Sequence, residues 1–398
     1  MTPTAPPLPP SGGYLEAIRY SSRQLRISAG IHITTPAIER FLQSPAFISS
    51  FKRVSTVHGL NLPLKFDSHL EELNLISVLS ILNFASGYRA SLHQQLGRGA
   101  WDSIRAFIFS LFITSSSGDD LLSASGMQSI SMAQVAELMG VNLHVERPHE
   151  TLPGVTVGEL GGPLYELVML ITRVLNETGA ILVNGGYINL GSFVLEALKE
   201  GAKTESSLET VLARLVKAFP AFQDMAIIEG QPIYCFKKAL FLIHAIRIRF
   251  GSLSPPPFPI PETRDTPIFS DNVIPSLLIH LGVIDISKAP GLNTIFEGAG
   301  SEARLGTLLG LGPPRAGQAG SSTSKDGPVL SNDQAFKLRA AAIDACQMIV
   351  ETARSFDVAQ ANAIDAESLN WIKDITLPEL DLWICILLVH SGVIGISI

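Results

Sequence analysis

The sequence predicts a mainly α protein, a single helical domain with at most a small β hairpin. Three observations carry this expectation: apolar residues recur at helical spacing in several long segments, strand-like character is confined to one short stretch, and no internal repeat divides the 398 residues. With 46% hydrophobic and 16% charged residues and a mean hydropathy of +0.30, the chain can fill a large interior.

The elements follow in order. Residues 1–13, MTPTAPPLPPSGG, have neither the basic start nor the apolar core of a signal peptide and read as a disordered proline-rich leader. Residues 14–398 form the helical domain. Residues 104–114 are apolar but too short to span a bilayer. Residues 166–183 place Leu167, Leu170, Ile171, Val174 and Leu175 on one helical face, and 208–218 repeat the pattern with Val211, Leu212, Leu215 and Val216. Residues 224–234, DMAIIEGQPIY, supply the hairpin. A helix over 237–250 stops at the block SLSPPPFPIP. Residues 312–328 have linker composition and are expected as a flexible insertion. An alanine-rich helix over 336–356 is entered after Ser331, Asn332 and Asp333, any of which can cap it. The uncharged stretch 382–398 carries His390, Ser391 and two glycines, which favours a buried terminal helix or strand over a membrane anchor.

Charge and motifs narrow the function classes. The 29 basic and 36 acidic residues give a net charge of −7, which disfavours nucleic-acid partners because polynucleotide affinity rests on phosphate neutralisation. A small ligand fits better, with no membrane partner and a monomeric state expected. Cys235, Cys346 and Cys385 sit in apolar stretches without pairing or metal-ligand spacing, as reduced core residues of a cytoplasmic or nuclear protein do. There is no CxxC, HExxH, P-loop or GxGxxG, and no two histidines stand at i, i+4. Neither a metal site nor a cofactor is expected. Asp119 and Asp120 lie in a Ser/Gly-rich stretch and read as a solvated loop.

One segment stands out: residues 268–282, IFSDNVIPSLLIHLG, which place Asp271 two positions after Phe269 and just ahead of Pro275. An aromatic ring beside a carboxylate can stack on a nucleobase while the oxygens accept its N–H donors or face its sugar carbon. The same letters describe a helix start capped by Ser270 or Asp271, without chemistry. Lys237 and Lys238 can hold a phosphate, although amphipathic helices commonly carry such lysines as snorkelling surface residues.

Several segments resemble, in order, the queuosine salvage protein family. They are HGLNL (58–62), LNF (82–84), SAS (123–125), RVLNETGAIL (173–182), AFPAFQD (218–224), EG (229–230), FKKA (236–239), FSDNVIPSLLIHLGVI (269–284), KLRAAAIDA (337–345) and LPELDLW (377–383). The resemblance implies a fold similar to helical DNA glycosylases and hydrolysis of the N-glycosidic bond of queuosine 5′-phosphate, releasing queuine. It implies that Phe269 and Asp271 line the base site, that His58 contacts ligand, and that an acidic residue of the last segment falls at Glu379, with Asp381 the alternative if the register slips by two. In that setting Asp271 is the catalytic carboxylate, since a fixed negative charge stabilises the cation that develops on the sugar. Lys237, Lys238 and Arg339 are candidates for the ribose phosphate. The chain departs from the family pattern at Ala245, at Asn272 and Val273, and at Ile384. A catalytically silent nucleotide-binding or scaffold paralogue is therefore the alternative.

Overall fold

A computed structural model describes residues 5–54, 60, 62–115, 120–149, 151–152, 154, 156–271, 273–296, 298–310, 328–356 and 366–391. Among these residues are sixteen α-helices and two antiparallel hairpins. The first half runs α1 (Tyr14–Ser28), α2 (Thr35–Leu42), α3 (Pro45–Val54), α4 (His69–Ile81), α5 (Arg89–Leu96), α6 (Ala100–Ser115), α7 (Ala124–Ser129), α8 (Met132–Met139), β1 (His144–Pro148) and β2 (Thr156–Leu160). The second half runs α9 (Tyr165–Asn184), α10 (Leu190–Gly201), α11 (Ser207–Ala218), β3 (Met225–Ile228), β4 (Gln231–Tyr234), α12 (Lys237–Phe250), α13 (Val273–His280), α14 (Glu302–Gly310), α15 (Asn332–Arg354) and α16 (Leu377–Ser391). The mainly α expectation holds.

Helix α4 lies at the centre because its sequence is apolar on every side. Every residue from Glu72 to Ile81 is buried. Its polar groups are satisfied internally: the Ser77 and Ser80 hydroxyls donate to the Leu73 and Ile76 carbonyls at 2.7 Å, and Glu72 accepts from Arg249 of α12 at 2.9 Å. Asn74 joins three elements, donating to the Leu122 carbonyl at 3.0 Å and accepting the Gly191 N–H at 3.0 Å. This contact brings α10 so close that a Cβ on Gly191 would lie 2.7 Å from the Asn74 backbone. Gly179 lets α9 approach α7 in the same way, its virtual Cβ only 2.3 Å from the Gln128 nitrogen.

Helix α15 is the second buried axis, with Ala340, Ala341, Ala342 and Ala345 fully inaccessible where α1, α13 and α16 close on it. Its cap is Ser331, in a reciprocal box with Gln334. The helices expected over 166–183, 208–218 and 336–356 are observed as Tyr165–Asn184, Ser207–Ala218 and Asn332–Arg354, and Lys237–Phe250 matches end to end.

The leader departs from its expected disorder. Residues 5–13 lie against the fold, with Pro6 and Pro9 buried, the Tyr234 hydroxyl donating to the Pro7 carbonyl at 2.7 Å and Lys217 donating to Ser11 at 3.1 Å. A polyproline II strand has three residues per turn, so Pro6 and Pro9 share one face and can bury it together. The first N–H groups of α1 then donate to Glu209 of α11, at 3.0 Å from Tyr14 and 2.9 Å from Leu15.

The expected hairpin is β3–β4, turned by Glu229 (φ +51) and Gly230 (φ +79). The hairpin β1–β2 is additional, and nearly all of its residues are exposed on both faces. No single described helix is long and apolar enough to cross a membrane. The C-terminal stretch continues α16, where Leu380, Trp383 and Ile384 are buried. Residues 311–327, most of the expected insertion, and 392–398 lie outside the described residues.

Candidate functional site

The starts of α12 and α13 meet beside the end of α4 and the interior faces of α15 and α16. The turn into α12 is unusual: Phe236 holds φ +47, a left-handed conformation costly for a bulky side chain. The Asp224 carbonyl fixes this turn by accepting the N–H groups of Cys235 and Phe236 at 3.0 and 3.2 Å, and the Asp224 carboxylate accepts the Lys237 N–H at 3.1 Å.

Lys237 then points inward. It is 9% exposed, so it is not the snorkelling surface lysine that its helix suggests. Its ammonium donates to Asp271 Oδ2 at 3.2 Å, to the Asn83 carbonyl at 3.2 Å and to Asn83 Oδ1 at 3.4 Å. Three acceptors match its three protons.

Asp271 caps its helix with one oxygen and takes an ion pair with the other. One oxygen, Oδ1, accepts the Val273 N–H at 2.8 Å and caps α13, while Oδ2 faces Lys237. Phe269 is buried, its ring 5.5 Å from that of His244 and 5.9 Å from Phe241, which meets Trp101 edge-on at 5.6 Å. These rings make an aromatic wall beside the carboxylate.

Asp381 on α16 completes the cluster. Its Oδ2 accepts the Phe269 N–H at 2.8 Å. Burial pushes its carboxyl up to about 7, and the nearby Asp271 charge adds to the rise, against the Phe269 N–H and Lys237. Cys385, one turn on, has its thiol 3.9 Å from Asp381 and is raised well above the usual thiol value by burial and by that carboxylate.

Glu379 does not join this group. It is exposed, and its Oε2 accepts from the Thr376 N–H at 2.9 Å and hydroxyl at 2.8 Å, forming the capping box that starts α16. Two positions along a helix is about 200° of rotation, so Glu379 and Asp381 face opposite ways and the alternative register supplies the buried acid. His58 lies outside the described residues.

The cations divide by their partners. Arg339 of α15 forks onto Asp224, with Nη1 to Oδ1 at 2.9 Å and Nη2 to Oδ2, so it is engaged inside the protein instead of facing a ligand. Burial alone would raise the Asp224 carboxyl, but Arg339, with Lys238 and the Lys237 N–H, holds it below the usual carboxylate value. Lys238 is half-buried with its ammonium 5.2 Å from the centre of the Phe84 ring; burial draws it down to about 8 against the pull of Asp224.

Asp224 and Asn83 received no role from the sequence, although AFPAFQD and LNF are among the resembling segments. The departures at Ala245 and Ile384 are fully buried apolar positions. A surface cleft of about 570 Å³ lies elsewhere, between α2, the start of α3 and α14, and contains none of these residues.

No curated protein matches the chain. The sequence profile of the queuosine salvage protein family matches residues 68–294, more than half of the chain. The matched region contains Asn83, Asp224, Lys237, Phe269 and Asp271, and ends before Arg339, Glu379 and Asp381. The chain belongs to the queuosine salvage protein family, and its role lies in queuosine salvage.

Proposed function

We propose that the protein hydrolyses the N-glycosidic bond of queuosine 5′-phosphate, releasing queuine and ribose 5-phosphate. The observation that carries this reading is the pair of carboxyl groups at one ammonium: Asp271 held 3.2 Å from Lys237, with Asp381 beside them at about 7. Glycoside hydrolysis needs two such groups in different protonation states. Asp271, ion-paired with Lys237, stabilises positive charge at the anomeric carbon and orients or deprotonates the attacking water, or bonds to the carbon itself. Asp381, substantially protonated near neutral pH, is the proton source for the departing base. The aromatic wall at Phe269 supports the planar deazaguanine, and the acidic side chains beside it suit its N–H donors and the cationic amine of queuine.

For the ribose phosphate, Lys238 is the best placed of the three expected cations, because Lys237 and Arg339 are engaged by Asp271 and Asp224. Net charge −7 supports a free nucleotide over a polynucleotide substrate. A second reading, a nucleotide-binding paralogue without turnover, is favoured by the departures at Ala245, at Asn272 and Val273, and at Ile384. Incubation of the purified protein with queuosine 5′-phosphate decides between them: free queuine supports hydrolysis, and binding without release supports the paralogue.

A further inference from the structure

The two halves of the proposed site come from the starts of two consecutive helices. Lys237 opens α12, whereas Phe269 and Asp271 precede α13. Asp224 and Arg339 touch both. Asp224 grips the α12 turn through its carbonyl, which accepts from Cys235 and Phe236, and through its carboxylate, which accepts the Lys237 N–H. Arg339 takes both oxygens of that carboxylate, and its Nε donates to the Ser270 carbonyl at 3.0 Å. Ser270 answers by donating its hydroxyl to the Arg339 carbonyl at 3.1 Å. Ser270 is the residue between Phe269 and Asp271, and it is 1% exposed.

We infer that the Asp224–Arg339 pair is a positioning device that sets the Lys237 ammonium and the Asp271 carboxylate in register, by clamping the backbone on either side of them. This assignment rests on the proposed glycosidic reaction for its kinetic consequences, but its structural content stands apart from it. A buried ion pair is a poor way to gain stability, since apolar residues of similar volume often serve as well. Here the bonds the pair makes beyond itself, from the Lys237 N–H to Asp224 and from Arg339 Nε to the Ser270 carbonyl, fall on the backbone at or next to a site residue. The planar fork of Arg339 suits this task, because one guanidinium binds the carboxylate with two N–H groups and Ser270 with a third. A lysine has one point of charge and cannot span the three acceptors. Asp224 also holds Phe236 in its left-handed turn, without which Lys237 would leave along a different direction.

The test uses the full-length protein with two variants. Arg339→Lys keeps the charge and loses the fork. The double variant Asp224→Leu with Arg339→Met removes both charges together, so neither is orphaned, and it retains folding if the single variant does not. For each folded variant, kcat and KM for queuosine 5′-phosphate are measured beside hydrogen exchange at residues 237–240 and 268–271. Positioning predicts at least a tenfold fall in kcat with KM within about threefold, since misplacement by about an ångström can cost a hundredfold, together with faster exchange in both segments. Wild-type kcat and unchanged exchange in either folded variant overturn the inference. Should the wild-type protein release no queuine, the functional reading fails, and exchange alone decides the positioning role: acceleration in both segments upholds it, and acceleration in only one or neither overturns it.

Discussion

Asp381→Asn gives the most quantitative perturbation of the buried acid. The wild-type carboxyl titrates near 7 in the folded protein against an ordinary value of 3.8. A raised carboxyl keeps its proton in the native state while the unfolded chain has lost its own, so between these values the native state binds more protons. Stability contributed by this group is complete below pH 3.8 and declines as pH rises through about 7. The full interval corresponds to about 4 kcal/mol, of which roughly 3 kcal/mol falls above pH 5. For a chain of this length about 1 °C of Tm accompanies each kcal/mol. Thermal unfolding from pH 5 to 8.5 should therefore show wild type losing ~3 °C relative to Asp381→Asn, whose amide still accepts the Phe269 N–H and carries no charge. Parallel curves for the two proteins would refute the reasoning, and would mean that Asp381 titrates alike in the folded and unfolded chains.

Other outcomes follow from the packing and charge. Gly179→Ala places a methyl group 2.3 Å from the Gln128 nitrogen, so a destabilisation of about 1–3 kcal/mol is expected in urea unfolding, with little change in an unhindered control such as Gly99→Ala. Deletion of residues 1–10 exposes the surface beneath Pro6 and Pro9 and removes the Pro7 acceptor of Tyr234, and should lower Tm; an unchanged Tm would return these residues to a free leader. Association with tRNA or DNA should be weak at physiological salt. A tight complex with a steep salt dependence would contradict the small-ligand reading.

The helical half of the fold was legible because its signals are local. Lys237–Phe250 could be delimited at both residues, since the proline block leaves no helical continuation, and the Ser331 cap was among the three candidates. Composition could not reveal that the leader packs, because the donors that hold Pro7 and Ser11 come from β4 and α11, more than 200 positions away. The hairpin β1–β2 was invisible for the opposite reason: with both faces exposed, it lacks the alternation by which strands are recognised.

At the candidate site the sequence located Phe269 and Asp271 but not their supports. Local reasoning offered a cap or a functional carboxylate for Asp271; one oxygen is the cap, and the other meets Lys237, a contact across 34 positions that only the fold shows. Choosing Asp381 over Glu379 required knowing which face of α16 is interior, and the near-uniform apolar character of that helix gives no such direction. Arg339 was a reasonable phosphate ligand by type. Only the fold, which brings Asp224 to it across 115 positions, shows that its guanidinium is engaged.

Whether Asp271 carries the reaction is read from the release of queuine from queuosine 5′-phosphate by wild type and by Asp271→Asn. Asparagine still caps α13, and Lys237 keeps both Asn83 oxygens, so the variant should fold with a modest fall in Tm. The proposed mechanism predicts release by wild type and a loss on the order of 10² to 10³ in turnover for the variant. Turnover by Asp271→Asn close to the wild-type rate would contradict it, leaving Asp271 as a helix cap and nothing more.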